Sequence, residues 1–243
     1  MIPVPAAPGA LRASALASIL PALALGGAGA LLLQELAALG PAYPWRAMGL
    51  LVAGATLLLA NLRAHLPQQS FGAANRVTLA RAVLVVLLLA MAGEPRIPVA
   101  LAFAIATIAA ALDYVDGRLA RTRGLSSPFG ARFDMETDAL LILTLALLLW
   151  LSGRTGAWVL LAGLMRPAFI LACALLPRLR GELAPSGRRR VVAVILVVSL
   201  LAAFAPFVPA RLAVAVAVTG LACVVASFAA DLRALWRSGP RTS

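Results

Sequence analysis

The sequence predicts an all-α polytopic membrane protein, and three observations carry that prediction. Hydrophobic residues make up 63% of the 243-residue chain, and charged residues only 12%. A soluble domain of that length carries about 25% charged residues. The apolar residues fall in long continuous runs, and a bilayer-spanning helix needs roughly 20 such residues. Runs of this kind differ from the short alternating segments of a membrane β-barrel, and in hydrocarbon the backbone must satisfy its own hydrogen bonds, which a helix does alone.

Eight runs are legible, at about residues 14–38, 47–62, 77–93, 97–115, 136–152, 156–176, 191–207 and 210–230. The first is long for the apolar region of a secretory signal and is preceded by Arg12 alone, so it is expected to stay in the protein as a span. The second is short, and Pro67-Gln68-Gln69-Ser70-Phe71-Gly72 after it reads as a break. That break divides the chain into an N-terminal extension with two transmembrane helices (1–72), a six-helix core (73–235) and a cytoplasmic tail (236–243). The fourth run ends in acidic residues and the fifth begins in them, while the sixth carries Arg166 and Pro167 inside its span. The seventh follows Arg188-Arg189-Arg190, and the eighth closes the core. No internal repeat of the kind that builds inverted-repeat transporters is visible.

Charge sets the sides. Net charge is +12, and all 21 basic residues are arginine. With the N-terminus cytoplasmic, 16 arginines fall on inside segments, among them Arg63, Arg76, Arg81, Arg118, Arg121, Arg123 and Arg132, whereas outside loops hold only Arg46, Arg96, Arg154 and Arg211. That bias follows the positive-inside rule and places both termini and the 117–133 segment in the cytoplasm, as in a multi-pass protein of the plasma (inner) membrane. It accounts for the basic balance without nucleic acid, which is not expected as a partner. Cys173 and Cys223 both lie in apolar runs and imply no disulfide framework.

The acids are concentrated. Five of nine, Asp113, Asp116, Asp134, Glu136 and Asp138, fall in one short stretch. A carboxylate at the edge of hydrocarbon persists when paired, solvated or bound to a cation. Spacings of three (Asp113, Asp116) and four (Asp134, Asp138) put each pair on one helix face, while Glu136 points about 200° away from its neighbours. Four aspartates converging from two adjacent helix ends make a site for a hard cation such as Mg²⁺, Mn²⁺ or Ca²⁺. The single histidine, His65, is distant in sequence.

The stretch Asp113-Tyr-Val-Asp116-Gly117-Arg-Leu-Ala120-Arg121, eight residues, then Gly130-Ala-Arg-Phe-Asp134-Met-Glu-Thr-Asp138 resembles the CDP-alcohol phosphotransferase signature at every fixed position. Eight fixed residue types at fixed spacing are a specific signal, unlike a lone glycine-rich loop. Asn75-x2-Thr78-x2-Arg81 is similar to the family's polar helix start, with Ala74 where many members have proline. The resemblance spans about 73–235 and implies a six-helix core. It implies two divalent ions, Mg²⁺ or Mn²⁺, held by Asp113, Asp116 and Asp134 with help from Asp138, which is also the general base. It further implies that Gly117, Ala120 and Gly130 line the nucleotide site, with Asn75, Thr78 and Arg121 donating to the diphosphate or nucleotide. Homodimerisation is likewise implied by similarity alone.

The activity expected on this reading is transfer of a phosphatidyl group from CDP-diacylglycerol to an alcohol acceptor, with release of CMP into phospholipid synthesis. A CDP-choline or CDP-ethanolamine donor with diacylglycerol as acceptor uses the same chemistry and the same signature. A divalent-cation transporter is the rival of another class; it requires acids near the midplane on broken helices. Arg166 and Arg178 are candidate contacts for an acceptor phosphate. An arginine inside a span is costly without a partner, and for Arg166 a pair with Glu136 is an equal alternative, with snorkelling toward an interface a third.

Overall fold

A computed structural model describes residues 8–65, 70–123, 128–175 and 187–238; the side chains of 8, 64–65, 114–123, 169–170, 172–174, 190, 231–232 and 234–238 lie outside the description. The described residues form eight α-helices: α1 (Pro8–Ala37), α2 (Tyr43–Asn61), α3 (Ala73–Ala90), α4 (Val99–Arg123), α5 (Pro128–Leu151), α6 (Leu160–Leu175), α7 (Gly187–Phe204) and α8 (Ala210–Ser238). By length and composition, residues 9–37, 43–61, 73–93 and 210–230 suffice to cross a membrane, and 99–113 and 157–168 are shorter apolar helices. The chain is thus an all-α polytopic membrane protein.

Contacts divide the chain into two compact units, residues 1–141 and 142–243, with the division falling inside α5. In the first unit α1 and α2 pack on α3. Leu11, Ala15 and Ile19 of α1 join Leu58, Leu62, Phe71 and Phe129 in one buried cluster. Phe71 meets Phe129 edge-on with ring centroids 6.5 Å apart, a favoured aromatic geometry. The Ser14 hydroxyl accepts the Phe71 N–H at 3.1 Å. The first two helices therefore hold the segment that opens α3 and the first turn of α5. At the other end of α1, Glu94, whose side chain is 4% exposed, accepts the Gly40 N–H at 2.8 Å and pairs with Arg46. The Tyr43 hydroxyl donates to the Leu87 carbonyl at 3.0 Å. Residues 39–46 are thereby fastened to the end of α3.

In the second unit, close helix approach depends on small residues. A Cβ on Gly163 would stand 2.7 Å from the Leu143 Cα, so α6 passes α5 at a distance only glycine permits. Arg154 donates to the carbonyls of Ala203 (3.0 Å), Ala205 (2.7 Å) and Val208 (2.7 Å). Ala203 is in the last turn of α7, and Ala205 and Val208 lie between α7 and α8, so the guanidinium fork ties together the carbonyls of this connection, where helix ends lack intrahelical donors. The sequence reads Arg154 as outside-loop charge; the structure gives it a fixed mechanical role.

The acidic helices run further than the hydropathy pattern indicates. α4 continues to Arg123 and α5 begins at Pro128, whereas the apolar runs stop at 115 and start at 136. Polar residues do not break a helix, and proline is tolerated in a first turn because its missing N–H has no intrahelical partner there. Gly117 and Gly130 lie within these helical extensions and do not terminate them.

Candidate active site

The site lies in the first unit, where α3, α4 and α5 meet. Asp113 sits on α4; Asp134 and Asp138, four residues apart, share one face of α5. One carboxylate oxygen from each lies within 4.8 Å of the others. Their side chains are 42%, 44% and 41% exposed, so the cluster opens to solvent on one side. Glu136 is exposed and outside the cluster, as its phase on the helix requires. Asp116 follows Asp113 by one short turn of α4; its side chain, with those of Gly117, Ala120 and Arg121, lies outside the described residues. Arg178 is also outside them, while Arg166 is a half-buried residue of α6 in the second unit.

The α3 face toward the cluster is polar and buried. Asn75, Thr78 and Arg81 recur every three residues and are 5%, 3% and 1% exposed. The Asn75 amide donates to the Phe71 carbonyl at 2.6 Å, and the Thr78 hydroxyl to the Ala74 carbonyl at 3.2 Å. Both bonds run back along α3 and fix these side chains along its inner face. Gly130, in the first turn of α5, precedes Asp134 by four residues and shares its face.

Arg81 belongs to the Asn75-x2-Thr78-x2-Arg81 pattern, but its role at the aspartates is what the sequence did not show. Its Nη1 lies 2.9 Å from Asp113 Oδ1 and 2.7 Å from Asp134 Oδ1, its Nη2 pairs with Asp138, and its Nε donates to the Ala109 carbonyl at 3.3 Å. One planar fork thus ties both acidic helices to α3. By position it counts as inside-facing charge near a helix start. The signal that distinguishes it is its phase: it continues the Asn75–Thr78 line onto a face that must be buried.

The arrangement suits a hard cation. Three carboxylates that can each offer an oxygen within a 4.8 Å circle are the donor set a divalent ion takes, and no described histidine or cysteine joins them. The half-open side leaves room for a second ligand source, and a buried guanidinium already offsets part of the negative charge.

Residues 71–228 match the family model of CDP-alcohol phosphatidyltransferase. The chain belongs to that family. The matched segment begins at the N-terminal flank of α3 and includes every helix that contributes an aspartate or the Arg81 fork. CDP-alcohol phosphatidyltransferases are transferases of phospholipid synthesis, and that general assignment extends to this chain. No match was found among curated proteins or solved structures.

Proposed function

We propose that this protein transfers a phosphatidyl group from CDP-diacylglycerol to an alcohol acceptor at the cytoplasmic face of the membrane, with release of CMP. The observation that carries the reading is the cluster of Asp113, Asp134 and Asp138 within the matched family segment. Asp113, Asp116, Asp134 and Asp138 would hold two divalent ions, Mg²⁺ or Mn²⁺. When bound, such ions neutralise the diphosphate and stabilise attacking and leaving oxygens.

The chain's own groups do the rest. Asp138 accepts the proton of the acceptor hydroxyl as its oxygen bonds the β-phosphorus. The bond from that phosphorus to the bridging oxygen breaks, and CMP leaves with the electron pair. Transfer of this type is mainly positioning and charge neutralisation, so no protein nucleophile is needed. Arg81 holds Asp113, Asp134 and Asp138 in register from behind, its fork satisfied by all three. Asn75, Thr78 and Arg121 supply donors for the nucleotide or diphosphate, and Gly117, Ala120 and Gly130 leave space for close approach. Arg166 and Arg178 remain the proposed contacts of an acceptor phosphate. The domain division at residue 72 and the homodimer belong to the same proposal.

The transporter reading is disfavoured by helix continuity. α4 runs unbroken through Asp113, and α5 through Asp134 and Asp138, without the interrupted helices of an ion pathway. The deciding experiment gives purified protein labelled CDP-diacylglycerol or CDP-choline, a panel of alcohols, and Mg²⁺ or Mn²⁺. Labelled lipid and CMP are expected from CDP-diacylglycerol with one acceptor class. Turnover of CDP-choline with diacylglycerol, and none of CDP-diacylglycerol, would overturn the donor assignment.

A further inference from the structure

α3 has a second functional-looking face, opposite the aspartates. At about 100° per residue, the arc formed by Arg76, Leu79, Ala80, Val83 and Leu84 is centred across the helix from the arc of Asn75, Thr78 and Arg81. Those five residues form one wall of a groove of about 460 Å³, and Ala17, Ser18, Pro21, Ala22 and Leu25 of α1 form the other. Its volume is within the range of about 300–1,000 Å³ typical of small-ligand pockets. Both walls are helices long and apolar enough to cross a membrane.

The groove is polar at one end and apolar at the other. α1 and α3 run side by side in the same direction: Ser14 bonds Phe71, and twelve residues further along each helix Gly26 faces Val83. Arg76 is therefore level with Ser18, and Leu84 with Leu25 and Gly26. From Arg76 to Leu84 the walls extend for about 12 Å along the helix axis. At the Arg76 end sit an exposed guanidinium, which forms no ion pair among the described residues, and the Ser18 hydroxyl, which donates to the Ser14 carbonyl at 3.2 Å. Pro21, inside α1, also withholds the N–H that the Ala17 carbonyl would otherwise receive. Beyond that level only aliphatic side chains line the walls.

We infer that this groove is a binding site for one anionic glycerophospholipid, with its phosphate on Arg76 and one acyl chain between Leu25, Val83 and Leu84. The order of a cation at one level, then hydrocarbon, matches a headgroup phosphate and chain entering from the α3 N-terminal side. Arginine suits the phosphate because its fork bonds two oxygens. α1 lies outside the family segment, so the extension supplies half of this site. The inference stands independently of the transferase reading, because it rests on the opposite face of α3.

The test is native mass spectrometry of the full chain released from nanodiscs of phosphatidylcholine and phosphatidylglycerol in equal amounts. Wild-type protein is expected to retain one phospholipid, enriched in phosphatidylglycerol about fivefold, the size of effect of one interfacial cation on an anionic headgroup. Arg76→Gln should lose the enrichment, and Ala80→Trp, which fills the groove, should lose the retained lipid. Asp113→Asn, on the other side of α3, should retain it. Should Ala80→Trp not fold, Arg76→Gln alters only an exposed side chain and carries the test alone. No retained lipid in the wild type, unchanged enrichment in Arg76→Gln, or loss in Asp113→Asn alone would overturn the assignment.

Discussion

Replacing Arg81 by glutamine removes the only described cation that touches all three aspartates. The cost follows from the geometry. Two unit charges 4.8 Å apart, the outer limit of the cluster, repel by about 3.5 kcal/mol at an effective dielectric of about 20. Three such pairs exist, but each carboxylate is about two-fifths exposed, and solvent screening reduces the sum to about 2–4 kcal/mol. For a chain of this size, that lowers the melting temperature of the metal-free protein by roughly 5–15 °C. Divalent metal should restore much of the loss, since an ion at a hundred times its Kd contributes about 2.7 kcal/mol. Without a competing guanidinium, Mg²⁺ or Mn²⁺ should therefore raise the variant's melting temperature more than the wild type's. The assay is thermal unfolding in detergent, with chelator and with metal. Equal melting of the two proteins in chelator, or equal gains on adding metal, would refute the argument that Arg81 offsets the cluster's charge. Arg81→Lys keeps one charge without the fork and should fall between them.

Three further outcomes are expected. Asp113→Asn should reduce product formation by at least about 10²–10³-fold, the scale of removing one electrostatic contact to a reacting phosphate, while membrane insertion is unchanged. Glu136→Gln, outside the cluster, should keep activity, and a comparable loss in both would undo the separation of these acids; lipid product and membrane fractionation are the readouts. Arg154→Ala removes three side-chain hydrogen bonds to carbonyls at the α7–α8 connection, of which the Ala205 carbonyl keeps the Val208 N–H, and should cost about 2–4 kcal/mol. Wild-type melting of Arg154→Lys would show that charge, and not the fork, matters there. Glu94→Ala breaks the pair with Arg46 and the bond to Gly40. Because Arg46 is one-third exposed, the expected cost is about 2–3 kcal/mol, measured as lowered thermal stability with the aspartate site intact.

The sequence alone determined the all-α class and the identities of the acids. Hydrocarbon permits few backbone solutions, so long apolar runs specify spans almost without tertiary information. Likewise, a spacing of four specifies a shared face for Asp134 with Asp138 and excludes Glu136, while the pairing of Asp113 with Asp116 stands as an expectation from its spacing of three. What the spacing cannot carry is which neighbour a face meets. Arg81 and Arg154 look alike as charges near helix ends, yet one ties three carboxylates to α3 and the other caps carbonyls beside α8. Their partners are 28 to 57 residues away for Arg81 and 49 to 54 for Arg154, separations at which only packing decides the contact. The helical extensions past 115 and before 136 were hidden for a related reason: hydropathy reports where lipid ends, not where a helix ends. Tertiary structure also decided the groove between α1 and α3. It arises from the register of two helices, and neither sequence shows that register alone.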